Sequence, residues 1–200
     1  MKHFCMAAFL FLAMPLLASA QATVAPDALV KQTAQTIMDR IKEEQAQIDE
    51  TPERLYQLVD EVVLPHFDFT KMSQWVLGKH WRKADKAQRE RFVQEFRQLL
   101  VRTYAKALVD NVDQEIDYLP LRIKPEDTDV TVSTEIPQDG GFPIPINYSM
   151  YLKEGAWKVY DVNIDGISLV TNYRTSFSTE VRSNGIDGLI DKLAARSAEQ

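Results

Sequence analysis

The stretch "YDVNIDGISLVTNYRTSF", residues 160–177, predicts a strand, a tight turn and a helix in direct succession. Its first five residues alternate between apolar and polar side chains, which is typical of a strand with one buried face. Asp165-Gly166 is a turn signal, and from Ile167 the apolar residues recur at helical spacing. The stretch contains no His, no Cys and no recognisable nucleophile motif, so it offers apolar surface and little chemistry.

A sheet is predicted before this corner. "INYSMYLKEGAWKVYDVNI", residues 146–164, has the pattern of a hairpin with its turn at Glu154-Gly155. Residues 116–123 and 129–136 are rich in strand-forming side chains, and Asp139-Gly140-Gly141 is a turn signal between strands. We expect two sets of side chains to share a face of the sheet: Ile146, Tyr148, Met150 and Leu152, and also Tyr160, Val162 and Ile164.

Helices are predicted on both sides of the sheet. One runs from Pro26 to about Ile48, and Thr51 is a candidate N-cap for the next helix. The strongest helical pattern lies in residues 84–112, with Asp85 near its N-terminus, where the helix dipole favours a carboxylate. Gly185 separates the last two helices, and the first of them carries the stripe Val170, Tyr173, Phe177 and Val181. Helices, about four antiparallel strands and then helices define the α+β class.

The first twenty residues, "MKHFCMAAFLFLAMPLLASA", predict a cleaved secretory signal. Lys2 and His3 give a positive start, residues 4–17 form an apolar run, and the small residues 18–20 suit a signal peptidase. The apolar run is short for a membrane span, although an uncleaved N-terminal anchor is the alternative. We therefore expect residues 21–200 to form a single mature domain in the periplasm.

The charge and cysteine content narrow the possible partners. Without Lys2 the mature chain has 22 Lys and Arg against 29 Asp and Glu, a net charge of about −7. This acidic balance argues against nucleic acid as a partner, because no basic stripe could neutralise phosphates. Cys5 is the only cysteine and is lost with the signal, so the mature protein must depend on its apolar core.

The sequence offers no convincing catalytic or metal site. His66 and His80 are the histidines that survive maturation, and neither belongs to an H-E-x-x-H pattern or has a cysteine to assist it. No G-x-S-x-G motif and no glycine-rich phosphate loop occurs. Asp161 and Asp165 are four residues apart on a strand, roughly 13 Å when extended, which is too far for a retaining glycosidase pair. Asp165 is more simply a turn residue, and Asp161 a solvent-facing or capping group.

Two separate regions resemble the MlaC or toluene-tolerance family. "GAWKVYDVNIDGISLVTNYRTSF…NGIDGLIDKL", residues 155–193, is similar to the C-terminal signature of that family. "DFTKMSQWVLGKHWRKADKAQRERFVQEFRQLLVRTYAKAL", residues 68–108, is similar to its central region, where "VLG" precedes an aromatic pair and an "A-x-x-A-Q-R" helix start. The resemblance covers essentially the whole mature chain. The loop "PQDGGFPIP", residues 137–145, is a local departure from it.

The resemblance implies a periplasmic phospholipid carrier that is not an enzyme and needs no cofactor. Such proteins move phospholipid between an outer-membrane lipoprotein–porin complex and an inner-membrane ATP-driven complex with a ring of lipid-binding subunits. They thereby maintain the lipid asymmetry of the outer membrane. The implied fold is a curved antiparallel sheet of the nuclear-transport-factor type with extra helices, and the acyl chains lie in a hydrophobic cavity between sheet and helices.

Elementary energetics agree with a carrier. Each exposed methylene costs ~0.8 kcal/mol, so one acyl chain in water costs on the order of 10 kcal/mol. A carrier must therefore hide the tails but can leave the headgroup in water. Each residue assigned to the cavity wall also fits a plain core, and a charge at Ile167 or Val170 is expected to abolish lipid retention. The assigned residues are Trp75, Phe96, Leu100, Tyr148, Met150, Val162, Ile164, Ile167, Val170, Tyr173 and Phe177.

Two other classes of function compete with the carrier. A small enzyme in a cone-shaped pocket would need a polar pair inside it, such as Asp161 with Tyr148 or His80. A solid-core adaptor protein would need no pocket at all. Cavity volume separates the adaptor from the carrier, because a lipid needs a cavity at or above the top of the roughly 300–1,000 Å³ range of ligand sites.

Overall fold

The computed structural model describes residues 23–138 and 140–198. The signal peptide predicted for residues 1–20 lies outside the described residues, and so does Asp139 of the predicted turn between strands. Within these two ranges, no helix combines the length and the apolar character that crossing a membrane requires.

The described residues form seven α-helices, a short 3₁₀ turn at Leu64–His66 and five strands. The helices are α1 Pro26–Glu43, α2 Gln45–Glu50, α3 Glu53–Val62, α4 Phe69–Leu77, α5 Lys79–Lys83, α6 Lys86–Asp110 and α7 Leu169–Ala198. The strands are β1 Asp117–Tyr118, β2 Asp129–Ile136, β3 Ile144–Lys153, β4 Ala156–Ile164 and β5 Ile167–Ser168. Gly185 interrupts α7 with φ 76° and ψ 179°, so the predicted break between the last two helices is confirmed.

The five strands form one antiparallel sheet in sequence order, which confirms the α+β class. Two tight turns set its register. Glu154 and Gly155 both adopt positive φ, 51° and 81°, between β3 and β4, and Asp165 and Gly166 do the same, 50° and 81°, between β4 and β5. Positive φ at both central residues is the backbone of a two-residue hairpin turn, so both predicted turns are confirmed.

A β-bulge in β4 corrects one prediction about the faces of the sheet. Met150 pairs with Val159 and Ser149 pairs with Asp161, so Tyr160 is an extra residue in β4. The bulge brings Trp157, Val159, Val162 and Ile164 to the same apolar face. Tyr160 instead packs with the helices beside β4, and the prediction that it shares a face with Val162 and Ile164 is wrong.

Other element boundaries also differ from the prediction. Thr51 is not an N-cap: it ends α2, and α3 begins at Glu53 after Pro52. Residues 116–123 contribute only the two residues of β1 to the sheet, because Leu119 to Thr128 run as a connection. Asp85 does begin α6, where its side chain accepts a hydrogen bond from Gln88 N at 2.9 Å and Gln88 reciprocates in a capping box.

The buried apolar side chains form three clusters. The helical cluster comprises Phe69, Met72, Val76, Leu77, Phe92, Phe96, Leu99, Leu100, Val170, Phe177, Val181, Leu189, Ile190 and Leu193. The N-terminal cluster comprises Ile37, Ile41, Ile48, Leu55, Leu58, Val59, Val101 and Ala105. The sheet cluster comprises Val30, Val132, Met150, Trp157, Val159, Val162 and Leu169. Phe67 and Tyr104 pack against both the helical and the sheet clusters and so join the two.

Candidate functional site

The structure distributes the eleven predicted wall residues over three places. Five belong to or pack against the helical cluster: Phe96, Leu100, Val170, Tyr173 and Phe177. Four belong to or pack against the sheet cluster: Tyr148, Met150, Val162 and Ile164. Two are largely exposed: Trp75 and Ile167. The eleven residues thus fall into two adjoining buried groups, which Phe67 and Tyr104 join, and an exposed pair.

The helical group is closed by aromatic contacts between α6 and α7. The ring centroids of Phe96 and Tyr173 are 5.4 Å apart, and those of Phe96 and Phe177 are 5.9 Å apart, both with edge-to-face geometry. Phe92 meets Phe177 edge-on at 5.9 Å. Aromatic side chains favour these distances and orientations in a packed interior. This group thus has the geometry of a core that holds the helices together.

The sheet group lies on the face of the sheet that is turned toward α1 and Tyr104. Tyr148 pairs with Val162, and Ile146 pairs with Ile164, so these four side chains are close neighbours on one face. Leu29 and Val30 of α1 and Tyr104 of α6 pack over this face. Met150 is fully buried there, whereas Ile146, Tyr148 and Ile164 are only partly buried. This face is the candidate site, because its apolar surface is broad and incompletely covered.

The polar tips at the candidate site are neutral. Burial raises the pKa of Tyr148, although a hydrogen bond with Thr134 acts in the opposite direction. Burial, together with the neighbouring Tyr173 hydroxyl, raises the pKa of Tyr104 to about 12. Thr134 in turn donates its hydroxyl to the Ile146 carbonyl at 3.3 Å. These groups carry no charge at neutral pH, so they suit a mainly apolar ligand.

Trp75 and Ile167 lie outside both clusters. Trp75 is 51% exposed on α4, and the centroid of its ring lies 5.6 Å from that of Tyr160. Ile167 is 59% exposed because β5 is a two-residue strand at the edge of the sheet. Their position toward solvent does not match that of a side chain facing the interior of the protein.

Asp68 is the centre of a polar network that sequence reasoning missed. It is only 7% exposed, it caps α4 by accepting from Lys71 N at 2.8 Å, and its other oxygen accepts from Lys153 Nζ at 2.8 Å and from the Tyr151 hydroxyl. Burial raises the pKa of Asp68, but the hydrogen bonds from Lys153, Tyr151 and Lys71 outweigh it, and the net shift is downward. An Asp directly before a helical pattern was the available sequence signal.

The same network ties the helices to the sheet. Phe67 forms a bridge with Val159 on β4, and Asp68 N donates to the Val159 carbonyl at 2.8 Å. The Lys71 ammonium lies 3.3 Å from the ring centroid of Tyr151, which adds a cation–π contact. This end of the sheet, next to the Glu154-Gly155 turn, is therefore anchored by both backbone and side-chain contacts.

Asp161 acts as a cap. Its carboxylate accepts from Ser168 Oγ at 2.6 Å and from Val170 N at 3.1 Å at the start of α7. Its partner in the sheet is Ser149, whereas Tyr148 pairs with Val162 on the other face, so Asp161 and Tyr148 do not form a pair inside a pocket. The prediction that Asp161 caps a neighbour is confirmed.

His80 is buried on α5, and burial, with Lys79, Lys83 and Arg182 nearby, lowers its pKa. Among the described residues, no cluster of three or more His, Cys, Asp or Glu is placed to hold a metal ion. The chemistry of the candidate site is thus that of apolar contact with a few neutral hydrogen-bonding groups.

Two surface pockets lie elsewhere. One, of about 670 Å³, lies between the start of α4, α6 and the β3–β4 turn, and includes Asp68 and Lys153. The other, of about 350 Å³, lies between α3 and α6. Neither is lined by any of the eleven predicted wall residues.

The family relationship follows from the whole described domain. The model of the MlaC protein family matches residues 31–195, which include α2 to α6, all five strands and most of α1 and α7. The chain belongs to the MlaC family.

Three relatives are similar over nearly the full length. The chain is 27% identical to the intermembrane phospholipid transport system binding protein MlaC of Haemophilus influenzae, over all of this chain and 94% of that protein. It is 27% identical to the toluene tolerance protein ttg2D of Pseudomonas putida, over 95% of this chain and 88% of that protein. A solved structure of a phospholipid-binding protein from Ralstonia solanacearum, in complex with a phospholipid, has a TM-score of 0.80 and 31% identity, and covers 88% of this chain and 98% of its own.

Proposed function

We propose that this protein is a phospholipid carrier. The observation that carries the proposal is the likeness to the phospholipid complex of the Ralstonia solanacearum protein, which shares this fold over 88% of the chain. The partly covered apolar face of the sheet supports the same function, because it offers contact area for acyl chains beside the neutral hydroxyls of Tyr148 and Thr134. The protein binds and transports its ligand and is not an enzyme, and it uses no cofactor.

The acyl chains lie against the sheet cluster, between β2–β4 and the covering side chains of α1 and α6. Ile146, Tyr148 and Ile164 are the first contacts, because they are already partly open to solvent. Binding separates the sheet from α1, where Leu29 and Val30 pack over it. Burying one chain then gains on the order of 10 kcal/mol, which offsets the cost of that separation. The helical cluster stays packed and keeps the helices together.

The predicted signal peptide places the carrier in the periplasm. There it exchanges phospholipid with an outer-membrane lipoprotein–porin complex and with an inner-membrane ATP-driven complex that has a ring of lipid-binding subunits. It thereby maintains the lipid asymmetry of the outer membrane. An aqueous gap makes such a carrier necessary, since free phospholipid exposes its chains to water.

The test is native mass spectrometry of the protein purified from a bacterial periplasm without detergent, followed by solvent extraction. We expect added mass that extracts as phospholipid. If the protein is recovered without lipid, loading from liposomes is measured next, and failure to load would rule out the carrier.

Matched variants locate the lipid. Ile146→Glu puts a carboxylate on the apolar face, and we expect it to lose bound phospholipid because an unpaired buried charge is costly. Thr131→Glu makes the same change on the exposed, opposite face of β2 and should retain phospholipid. Circular dichroism checks that both are folded, and Ile164→Ser serves as a milder change if Ile146→Glu is not. Equal lipid content in all variants would place the lipid elsewhere.

A further inference from the structure

The sheet has one end where apolar side chains project into solvent. Phe142 lies in the connection between β2 and β3 and is 94% exposed. Ile167 begins β5 and is also largely exposed. We call Phe142, Ile167 and the carboxylates of Asp117, Glu135 and Asp165 the open end of the sheet. Phe142 is the most exposed of the six large apolar side chains that the described residues present to solvent.

The strand register brings these residues to the same end. β2 finishes and β3 starts there, with Ile136 paired to Ile144 two residues after Phe142. Asp165 N donates to the Pro145 carbonyl at 2.9 Å, which links the β4–β5 turn to the start of β3. Ile167 pairs with Ile164 at the end of β4. Phe142, in the connection between β2 and β3, and Ile167, directly after the β4–β5 turn, therefore lie at the same end of the sheet.

The open end continues into the candidate site. At the opposite end of the sheet, next to the Glu154-Gly155 turn, the apolar face is closed by the buried Trp157 and Val159. Toward the open end, Tyr148, Ile146 and Ile164 are only partly covered. The apolar side chains are thus buried in the middle of the sheet, partly exposed at Ile146, Tyr148 and Ile164, and largely exposed at Phe142 and Ile167.

The strand ends and turns at the open end carry carboxylates, while the Lys31 ammonium lies 5.5 Å from the ring centroid of Tyr118, next to Asp117. Residues 133–147 and 161–173 contain no Lys or Arg. Asp117 and Glu135 lie directly opposite each other on β1 and β2, an arrangement of like charges that destabilises an isolated sheet. Asp165 adds a third carboxylate at the β4–β5 turn. Surfaces that lie on membranes carry Lys and Arg instead, because the lipid surface is negatively charged.

We propose that the open end of the sheet is the docking surface for a partner protein that offers an apolar pocket rimmed by Lys and Arg side chains. Phe142 fills the pocket, and Asp117, Glu135 and Asp165 face the basic rim. Complementary charge sets the orientation, while the buried aromatic supplies most of the affinity. The further step, transfer of phospholipid through this contact, rests on the proposed function. Docking itself does not.

The experiment is photo-crosslinking in living cells that express the full chain. Phe142 is replaced by the photoreactive p-benzoylphenylalanine, and Trp75, an exposed aromatic on α4, is replaced in the same way as the matched control. We expect a crosslinked protein at position 142 and none at position 75. Tandem mass spectrometry of the product should identify a partner peptide in which Lys or Arg adjoins apolar residues.

Charge reversal separates specific docking from chance capture. Asp117→Lys with Glu135→Lys should reduce the crosslink at position 142 by about tenfold, because the basic rim is then repelled. The control reversal, Glu50→Lys with Glu126→Lys, changes two exposed carboxylates away from the open end and should leave the crosslink unchanged. The proposal is overturned if both charge-reversal pairs reduce the crosslink yield equally or if neither pair reduces it. It is also overturned if no crosslink forms at position 142.

The other occupants give different results. A crosslinked product with twice the mass of the chain would identify a second copy as the occupant. If the unmodified protein floats with vesicles of phosphatidylglycerol and phosphatidylethanolamine and Phe142→Ser does not, the occupant is a membrane surface. Either result overturns the proposal. Phospholipid content of Phe142→Ser should equal that of the unmodified protein. If the unmodified protein neither contains phospholipid nor loads it from liposomes, the proposed carrier function is wrong. The crosslinking results then still show whether the open end binds a partner protein.

Discussion

The helical cluster and the sheet cluster are both built from apolar and aromatic side chains, but they are covered to different degrees. In the helical cluster Phe92, Phe96, Met72 and Val76 are fully buried, and the rings interlock across α6 and α7. In the sheet cluster, burial is complete at Met150 and only partial at Ile164, and Ile167, which pairs with Ile164 but lies outside the cluster, is exposed. Similar residue types thus serve structural packing in one region and an accessible surface in the other, and coverage by neighbouring elements makes the difference.

Phe96→Ala should have the largest effect on stability. Removing a fully buried aromatic ring leaves a cavity between α6 and α7, and we expect a loss of about 3–5 kcal/mol in the free energy of unfolding. Urea denaturation measures this loss. Phe142→Ala is the matched control, because the same change at an exposed position should alter stability by less than about 0.5 kcal/mol. Similar losses in the two variants would contradict the assignment of the helical cluster as the rigid core.

Asp68→Ala should have the next largest effect. The substitution removes the cap of α4 and the partner of Lys153 and Tyr151, so the closed end of the sheet loses its side-chain anchor. We expect a loss of about 2 kcal/mol in the free energy of unfolding. Asp68→Asn keeps an acceptor for the α4 backbone and should lose less. If Asp68→Ala leaves the urea midpoint unchanged, the network does not anchor the sheet.

The pH dependence of the free energy of unfolding tests the same network around Asp68, with a smaller expected effect. The hydrogen bonds to Asp68 hold its pKa below the ordinary value of 3.8 despite its burial. A carboxyl with a depressed pKa in the folded state stabilises the protein above its unfolded pKa, and this contribution is lost as the pH falls through the folded pKa. Urea midpoints from about pH 6 to about pH 2 should therefore fall more steeply for the unmodified protein than for Asp68→Asn. Parallel curves would show that Asp68 does not titrate with folding.

Ile167→Glu should have the smallest effect on stability and on phospholipid content. The sequence places Ile167 in the cavity wall, where a charge would abolish lipid retention, but the side chain is largely exposed at the edge strand β5. We expect Ile167→Glu to change the free energy of unfolding by less than about 0.5 kcal/mol and to leave the phospholipid content of the protein unchanged. Native mass spectrometry measures the content. Val170→Glu is no substitute, because Val170 is buried in the helical cluster and the charge would unfold the protein. If Ile167→Glu loses phospholipid, Ile167 lines the lipid cavity as the sequence predicts.

Local patterns predicted much of the fold. The turn at Glu154-Gly155, the position of Asp85 at the start of a helix and the break at Gly185 all depend on residues close together in the chain, and all are confirmed. Residues 116–123 predicted a longer strand than β1, because strand propensity does not reveal whether a partner strand is available. The bulge at Tyr160 was invisible for a related reason, since its cause lies in the pairing with β3.

The sequence by itself determined the class of fold, the order of its elements and the apolar character of the faces that meet, because periodicity and turn chemistry are local properties of the chain. The division of the predicted wall residues among a closed core, a partly covered sheet face and the solvent was decided only by the tertiary structure. An inward-facing side chain has the same sequence pattern whether its neighbours cover it completely or leave room for a ligand. That difference depends on contacts between residues far apart in the chain, such as Val30 with the sheet and Asp68 with Lys153.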